Sequence, residues 1–362
     1  RFWIWLYQME HEIRQQIPIM YYNIWDDLPD PLYNANYYRS SDLLMSISKQ
    51  TYGINKRILS HYGYEDWQVK YVPHGVNTDE HYIVDKADTK FREFESKMGF
   101  DKFKFKLLYV NRNIRRKQPG DFILAYNHFL QQLTKEQQKE CCLIFHTQPV
   151  DENGTDLKAV CDRFIPGQNV IFTFDINKGH FNDEQMNYLY NSADVYMNLA
   201  SNEGFGLGSL EALTAGTPII INVTGGLQDQ CGFMDVSPDG GAFRYLNADD
   251  YVELGSNHRG EYKTHGRWVK PVWPTNWSLQ GSPPTPYIFD DRCSWEDAGN
   301  MIKEWYDEGP EEREKCGKLG RDWALSDDAR MTTKHMSESF IDNIETTFKN
   351  WKPRKRYTME VI

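Results

Sequence analysis

Short apolar runs alternate with helix-length amphipathic stretches from Ile17 onward, and this alternation constrains the fold more than any other feature. The pattern predicts parallel strands joined by helices that cover both faces of a sheet, which is the α/β class. Eight runs are predicted to be strands, namely residues 17–24, 43–48, 69–72, 105–110, 142–147, 170–174, 195–199 and 218–223.

A polar, charge-rich passage over residues 77–104 separates three of these strands from the other five, and we place a domain boundary near Met98. Residues 1–97 are predicted to form a partial Rossmann-like domain, and residues 98–326 a complete, doubly wound one. Residues 327–362 are predicted to carry a C-terminal helix that packs back on the first domain. A chain of 362 residues is long enough for two such domains.

Charge and composition exclude several classes of protein. The formal net charge of -11 argues against a chain that coats nucleic acid, and no apolar run approaches the roughly 20 residues of a membrane span. The six cysteines lack metal-binding spacing, which favours buried thiols in a reducing compartment. We therefore expect a cytoplasmic protein, with peripheral membrane association left open, and we discount the glycosylation sequons at Asn222 and Asn276.

A glycine-rich loop follows the strand predicted at residues 195–199. Gly204, Gly206 and Gly208 allow the backbone to turn tightly and to approach a ligand closely. The helix predicted to begin near Leu207 would point its free N–H groups at the same place, where a diphosphate fits.

Two carboxylates belong to this segment. Glu203 lies in the loop and Glu211 about one turn into the helix, so both can face one cleft and receive hydroxyl groups of a sugar and a ribose. Taken singly, Glu203 reads equally well as a solvated loop residue and Glu211 as a residue that favours the helix N-terminus.

Four cations follow the strand predicted at residues 105–110, where an anionic leaving group could be bound. We expect Arg112 and Lys117 to face the cleft, and Arg115 and Arg116 to be solvated.

These residues occur in an ordered set of motifs that resembles the retaining glycosyltransferases of family four (glycosyl transferases group 1), which have the GT-B fold. The set comprises E-x7-E at Glu203 and Glu211, N-R-x4-K at Asn111, Arg112 and Lys117, V-P-H-G-V-N at residues 72–77, S-A-D-V at residues 192–195, and T-G-G at residues 224–226. The resemblance covers most of the chain and implies two Rossmann-like domains that face a cleft, the first of them incomplete here.

The resemblance also implies roles for individual residues. Arg112 and Lys117 would bind the donor diphosphate, Glu203 would contact the transferred sugar, and Glu211 would hold the ribose. The donor-binding loop would include Gly204, with backbone amides supplied by Phe205, Gly206 and Leu207. Asn111 and Asp175 depart from the glycines usual at their positions, which puts the wall around the nucleotide base in doubt.

The implied activity is transfer of a hexose from a UDP-, GDP- or ADP-type sugar to an unknown glycan, lipid or small-molecule acceptor, with retention and without a metal or cofactor. No D-x-D-like metal pair is present, and we interpret Asp26-Asp27 and Asp290-Asp291 as turn or capping residues. One alternative is a non-catalytic or partner-dependent subunit that binds nucleotide sugars. A nucleotide-sugar 2-epimerase is a weaker alternative.

Three further features concern the acceptor side. The first domain offers only three predicted strands, so we expect a second chain or a preceding segment to complete it. Trp25 and Asp26 follow a strand and could reach the cleft, although a core Trp and a capping Asp are the favoured roles. Residues 255–286 are predicted to be a long loop, either a surface excursion or an acceptor-side wall.

Overall fold

The computed structural model describes residues 2–177, 180–236 and 243–355 of the chain. The helices are α1 (Phe2–Ile13), α2 (Ala35–Arg39), α3 (Lys49–Ser60), α4 (Thr89–Met98), α5 (Pro119–Gln131), α6 (Lys135–Lys139), α7 (Leu157–Phe164), α8 (Thr173–Asn177), α9 (Asp183–Ser192), α10 (Leu207–Thr214), α11 (Asp250–Leu254), α12 (Trp295–Leu325) and α13 (Thr333–Asn350). The strands are β1 (Met20–Asn23), β2 (Leu43–Ser46), β3 (Val69–Tyr71), β4 (Phe105–Val110), β5 (Cys141–His146), β6 (Val170–Phe172), β7 (Val195–Asn198), β8 (Ile219–Asn222), β9 (Met234–Val236), β10 (Phe243–Tyr245), β11 (Val269–Val272), β12 (Pro274–Ser282) and β13 (Thr285–Cys293).

The first sheet is parallel and has the order β1-β2-β3. Its central strand β2 is buried along its whole length. Helix α3 covers one face with Ile54 and Ile58, and α13 packs Met336 and Phe340 against the other face. The C-terminal helix thus lies on the first sheet, far from its own neighbours in sequence.

The second sheet is parallel throughout and has the order β11-β8-β7-β4-β5-β6. From β4 the chain proceeds outward through β5 and β6, whereas from β7 it proceeds in the opposite direction through β8 and β11. The strand order therefore reverses between β4 and β7, and ligands bind at the carboxyl ends of the strands at such a point.

Helix α12 joins the second sheet to the end of the chain and is broken at Gly309, which has φ 79° and is followed by Pro310. Its second half packs closely on the turn after α10, because a Cβ added at Gly317 would lie 1.8 Å from the carbonyl oxygen of Gly216. Only glycine permits this approach, which ties α12 to the helix of the glycine loop.

The α/β class and all eight predicted strands are confirmed, with their ends shifted by a few residues. The predicted long loop at residues 255–286 is wrong, because this region contains β11, β12 and the start of β13. Strands β12 and β13 form an antiparallel hairpin, and β12 is exposed after Pro274. An exposed strand that carries Pro, Gly and Ser has no alternation of buried apolar residues, so the usual strand signal is missing.

Several smaller expectations can also be compared with the structure. All six cysteines are buried and unbonded, and Asn222 is fully buried in β8, where a glycan has no room. No helix in the described part of the chain has the length and apolar character needed to cross a membrane. Residues 1 and 356–362, which belong to the first and last predicted segments, lie outside the described residues.

Candidate functional site

The candidate site lies where the second sheet reverses its strand order. The loop after β4 carries the four cations, and the loop after β7 carries the glycines. The two loops are joined by a hydrogen bond of 2.8 Å from the Ser201 N–H to the Arg116 carbonyl. Two neighbouring parallel strands therefore bring distant parts of the chain to one edge.

The glycine loop is held in place through hydrogen bonds to its main-chain carbonyl groups. Gly206 has φ 89° and directly precedes α10, a conformation that side chains rarely adopt. The buried Gln230 amide donates to the carbonyls of Phe205 and Gly206 at 2.7 and 3.0 Å. Among the described residues, no acceptor takes a hydrogen bond from the Gly206 or Leu207 amide. These N–H groups are available to an anion at the start of the helix.

The loop also lies against the turn after β8. A Cβ added at Gly226 would lie 2.0 Å from the Gly204 carbonyl oxygen, and the Gly226 N–H donates to the Glu203 carbonyl at 2.7 Å. Gly225 and Gly226 of the T-G-G motif thus serve close backbone packing, which fixes the position of Glu203.

Lys117 and Glu203 are in direct contact through Nζ and Oε2. Both side chains are largely buried, with 8% and 15% of their surfaces exposed. Burial lowers the pKa of Lys117, and the adjacent Glu203 carboxylate opposes this shift. The structure therefore places a cation and a carboxylate of the predicted site together.

Arg116 belongs to the same cluster. Its guanidinium donates to Glu203 Oε2 at 3.2 Å and to the Asn202 carbonyl at 2.8 Å. The Arg116 side chain is 46% exposed, so the expected solvation holds, but the residue also contacts Glu203, which the sequence did not predict. Arg115 is exposed, as expected.

Arg112 lies apart from this cluster. It pairs with Asp151 at 3.0 Å, and its side chain is 62% exposed. Both residues line a cavity of about 570 Å3 at the ends of β4, β5 and β6. The structure thus puts Arg112 beside the cavity and Lys117 beside Glu203, and the two residues do not meet around one anion site.

The walls of this cavity include His146, Phe174 and His180. Burial, together with His180, lowers the pKa of His146 to about 4, so its imidazole is neutral at physiological pH. Asp175, which departs from the family pattern, is paired with Lys158 at 2.7 Å, and its side chain is 49% exposed. Phe174 therefore shapes the wall, and Asp175 does not.

Glu211 is anchored one turn into α10. Tyr190 donates its hydroxyl hydrogen to Glu211 Oε2 at 2.6 Å, and His81 Nε2 lies 3.9 Å from Oε1. The Glu211 side chain remains 25% exposed. Of the other predicted donor residues, Phe205 is buried against His74, Leu207 is 41% exposed and Gly204 approaches the carbonyl oxygen of Ile24.

A group of carboxylates, for which the sequence favoured turn or capping roles, completes the site. Asp26 Oδ2 lies 3.9 Å from Arg116, and Asp27 is 8% exposed with Oδ1 lacking a hydrogen-bond partner among the described residues. Burial, then Asp26 and Asp290, raise the pKa of Asp27 to about 9. Burial also raises the pKa of Asp26, so the Asp26–Asp27 pair retains a proton at neutral pH.

The interpretation of the paired aspartates as turn or capping residues is wrong for Asp291, which accepts hydrogen bonds from Thr224 and His258. Trp25 is partly buried against the first core, as favoured from the sequence. Adjacent Asp pairs were visible in the sequence at positions 26 and 290, but their meeting depends on the hairpin. No group of three or more His, Cys, Asp or Glu side chains among the described residues is placed to hold a metal ion.

Comparison with known proteins places these features in a family. Residues 90–232 match the family model for glycosyl transferases group 1. The chain is 29% identical over 127 residues to glycogen synthase of Bacillus cereus, an alignment that covers 35% of this chain and 24% of the relative. The matched part thus spans about a quarter of that relative's length.

Two solved structures share the fold over nearly the whole chain. Sucrose-phosphate synthase from Thermosynechococcus elongatus is 17% identical, with a TM-score of 0.59 and coverage of 96% of this chain and 72% of that one. HepE of Anabaena, in complex with UDP and glucose, is 13% identical, with a TM-score of 0.61 and coverage of 91% and 72%. The chain therefore has the GT-B fold, and its residues 90–232 are similar to the group 1 glycosyltransferases.

Proposed function

We propose that this chain transfers a hexose from a nucleotide-diphospho-sugar to an acceptor hydroxyl, with retention of configuration and without a metal ion or cofactor. The observation that carries the proposal is the meeting of Lys117, Arg116 and Glu203 at the N-terminus of α10. Two cations, free backbone N–H groups and a carboxylate thus converge at the switch point of a parallel sheet.

The charges of the reaction match this arrangement. When the bond between sugar and diphosphate breaks, negative charge grows on the diphosphate and positive charge on the sugar. Lys117, Arg116 and the N–H groups of α10 would stabilise the negative charge, which preorganised dipoles in a partly buried site do efficiently. Glu203 would face the sugar, where its own charge opposes the developing positive charge.

Donor binding requires an exchange of partners. In the structure, Glu203 occupies the position next to Lys117 that a phosphate oxygen would take. A donor diphosphate would replace this carboxylate, and the released Glu203 would then accept hydrogen bonds from sugar hydroxyls. Arg112 would move from Asp151 toward the phosphates or remain at the cavity, consistent with its exposed position.

The rest of the donor fits the same sheet edge. Glu211, held by Tyr190, is placed to receive the ribose hydroxyls. The cavity between Arg112 and Phe174 has a volume of about 570 Å3, within the usual range for small-molecule sites, and its neutral His146 suits an uncharged base. HepE, which shares the fold, was solved with UDP, so UDP-glucose is the first donor to test.

Retention follows from a front-face reaction. The acceptor oxygen forms its bond to the sugar C1 on the side from which the diphosphate leaves. The acceptor hydroxyl gives its proton to the departing phosphate oxygen, so no enzyme nucleophile is consumed. The cations that hold the diphosphate thereby also position the proton acceptor.

The test is titration with UDP, GDP and ADP by calorimetry, together with assays of sugar transfer. Lys117→Ala and Glu211→Ala should each weaken nucleotide binding by about tenfold to 100-fold, because each removes a charged hydrogen-bond partner. Lys102→Ala and Glu93→Ala, at exposed positions, serve as matched controls. Unchanged nucleotide binding and transfer in both site variants would rule out the proposal.

A second candidate is a subunit that binds nucleotide sugars but needs a partner for transfer. It is favoured by one observation, the three strands of the first sheet against six in the second. Hydrolysis or transfer of UDP-glucose by the chain alone would exclude it. Tight nucleotide binding with neither activity would support it.

A further inference from the structure

A second cavity lies between the first domain and the β12–β13 hairpin, and the proposed donor site does not use it. Its volume is about 870 Å3. One wall is formed by the loop that begins at Leu28 and by Arg57 of α3, and the other by His258, Trp277 and Phe289. Binding sites for small molecules are frequent at such domain junctions, and this volume is in their usual range.

Aromatic rings form much of the hairpin side. Trp277 is 40% exposed, and its ring lies 5.5 Å from that of His258. Tyr287 packs edge-on against Tyr33 of the first domain at 4.8 Å. Tyr287 is therefore held against the first domain, whereas Trp277 is contacted by residues of the second domain. Flat aromatic faces suit the C–H face of a pyranose ring. The sugar buries this apolar face against the aromatic ring, and its hydroxyl groups remain able to form hydrogen bonds.

Polar groups surround these rings. Arg57 is fixed by Asp30 at 2.6 and 2.9 Å, and His258 by Asp291 at 3.2 Å. Arg259 lies over Trp277, at 5.6 Å from the ring centroid. Within the described ranges, no carboxylate lies within 4 Å of the Arg259 guanidinium. The cavity therefore offers hydrogen-bonding groups around an aromatic wall and no surplus negative charge, which suits a sugar and disfavours a cationic ligand.

The cavity wall is connected to the donor loop through the main chain. The Phe289 N–H donates to the Leu28 carbonyl at 2.7 Å, and the Asn202 side chain donates to the Phe289 carbonyl at 2.9 Å. Asn202 directly precedes Glu203, and Leu28 directly follows Asp27. The hairpin thus joins the cavity to both halves of the candidate active site.

We propose that this cavity binds the acceptor and that the acceptor is a saccharide whose ring stacks on Trp277. The identification as acceptor rests on the proposed function, whereas binding of a saccharide does not. The hairpin, which sequence reasoning took for a loop, is then a specificity element of this chain.

The experiment measures binding of glucose, maltotriose and glucose 6-phosphate to the full chain by saturation-transfer NMR and calorimetry, with and without UDP. At least one of the three should bind wild type, and Trp277→Ala should weaken that binding by about tenfold or more. The affinity for UDP should not change in this variant. Loss of the phosphate-bearing sugar alone in Arg259→Ala would show that the preferred saccharide is anionic.

Leu279→Ala is the matched control, since Leu279 is 64% exposed on the same strand and does not line the cavity. It should leave saccharide binding unchanged. Failure of all three sugars to bind wild type, or equal binding by Trp277→Ala, would overturn the proposal. UDP binding by Lys117→Ala is measured in a separate titration. The proposed donor site and the proposed saccharide site can therefore be disproved independently of each other.

Discussion

The two sheets contribute to the candidate site in different ways. The six-stranded sheet supplies Lys117, Arg116 and the glycine loop from the ends of two adjacent strands, and close backbone packing fixes their positions. The three-stranded sheet supplies the loop with Asp26 and Asp27, and Asp26 approaches Arg116 at the site. Side chains such as Asp229 and Gln228 form hydrogen bonds across the junction between the two domains. Under the proposed function, donor geometry would depend on one domain, whereas delivery of an acceptor would depend on how the two domains are joined.

Gly226→Ala is expected to have the largest effect on nucleotide binding. The added methyl group meets the Gly204 carbonyl, so the loop that carries Glu203 must move. We expect UDP affinity to fall by roughly 100-fold or more, about 3 kcal/mol, in calorimetric titrations. Gly120→Ala is the control, because nothing lies within 4 Å of the added atom. Normal UDP binding by Gly226→Ala would show that the loop is not the donor site.

The contact between the two domains is tested by Asp229→Ala. The buried Asp229 carboxylate accepts hydrogen bonds from the Lys49 N–H at 2.9 Å and from the Tyr71 hydroxyl at 3.0 Å, both in the first domain. Its removal should destabilise the protein by roughly 2 kcal/mol, seen in denaturant unfolding, because buried donors lose their acceptor. UDP affinity of the folded variant should not change. Asp66→Ala, at a side chain that is 93% exposed, is the control.

The separate contributions of the loop arginines to UDP binding are tested by Arg116→Ala and Arg115→Ala. Arg116 contacts Glu203, whereas Arg115 is exposed on the same loop. We expect UDP affinity to fall about tenfold in Arg116→Ala, the effect of one charged hydrogen bond, and to stay unchanged in Arg115→Ala. Equal effects of the two variants would mean that only the overall charge of the loop matters.

A separate prediction concerns the pH dependence of stability and the loop after β1 in the first domain. Because the folded-state pKa of Asp27 is raised to about 9 from an ordinary value near 3.9, its neutral form stabilises the fold fully below about pH 4. This contribution is lost as the pH rises toward 9. The thermal midpoint of wild type should therefore fall between about pH 5 and pH 8.5, and Asp27→Asn should flatten this slope. A slope identical in the two proteins would contradict the assignment of the proton.

Much of the donor side could be predicted from the sequence because its signals are local. The glycine loop, the start of α10 and the position of Glu211 all lie within a single strand-loop-helix segment. The four cations after the strand at residues 105–110 gave Lys117 as a residue that faces the cleft, and the structure places it against Glu203. The functional roles of these residues remain predictions.

The acceptor side could not be predicted in the same way. Asp27 and Asp290 interact although they are far apart in the chain, and their meeting requires the hairpin to pack beside the loop after β1. Arg116 was assigned to solvent as part of a charge run, and that reasoning does not predict its contact with Glu203. The 3-10 turn at Arg115–Lys117 sets the directions of these side chains, and no residue pattern in the sequence predicted that turn.

The contact between Lys117 and Glu203 has a consequence for selectivity. A tethered carboxylate competes for the cation at a high effective concentration, so free phosphate or chloride must displace it to enter. Such small anions gain nothing elsewhere in the site to compensate. Under the proposed function, a nucleotide sugar would gain further contacts at the ribose, the base and the sugar, and these would complete the displacement. Glu203 would then exclude small anions that make few contacts, and donor affinity would be less sensitive to salt than with two unpaired cations.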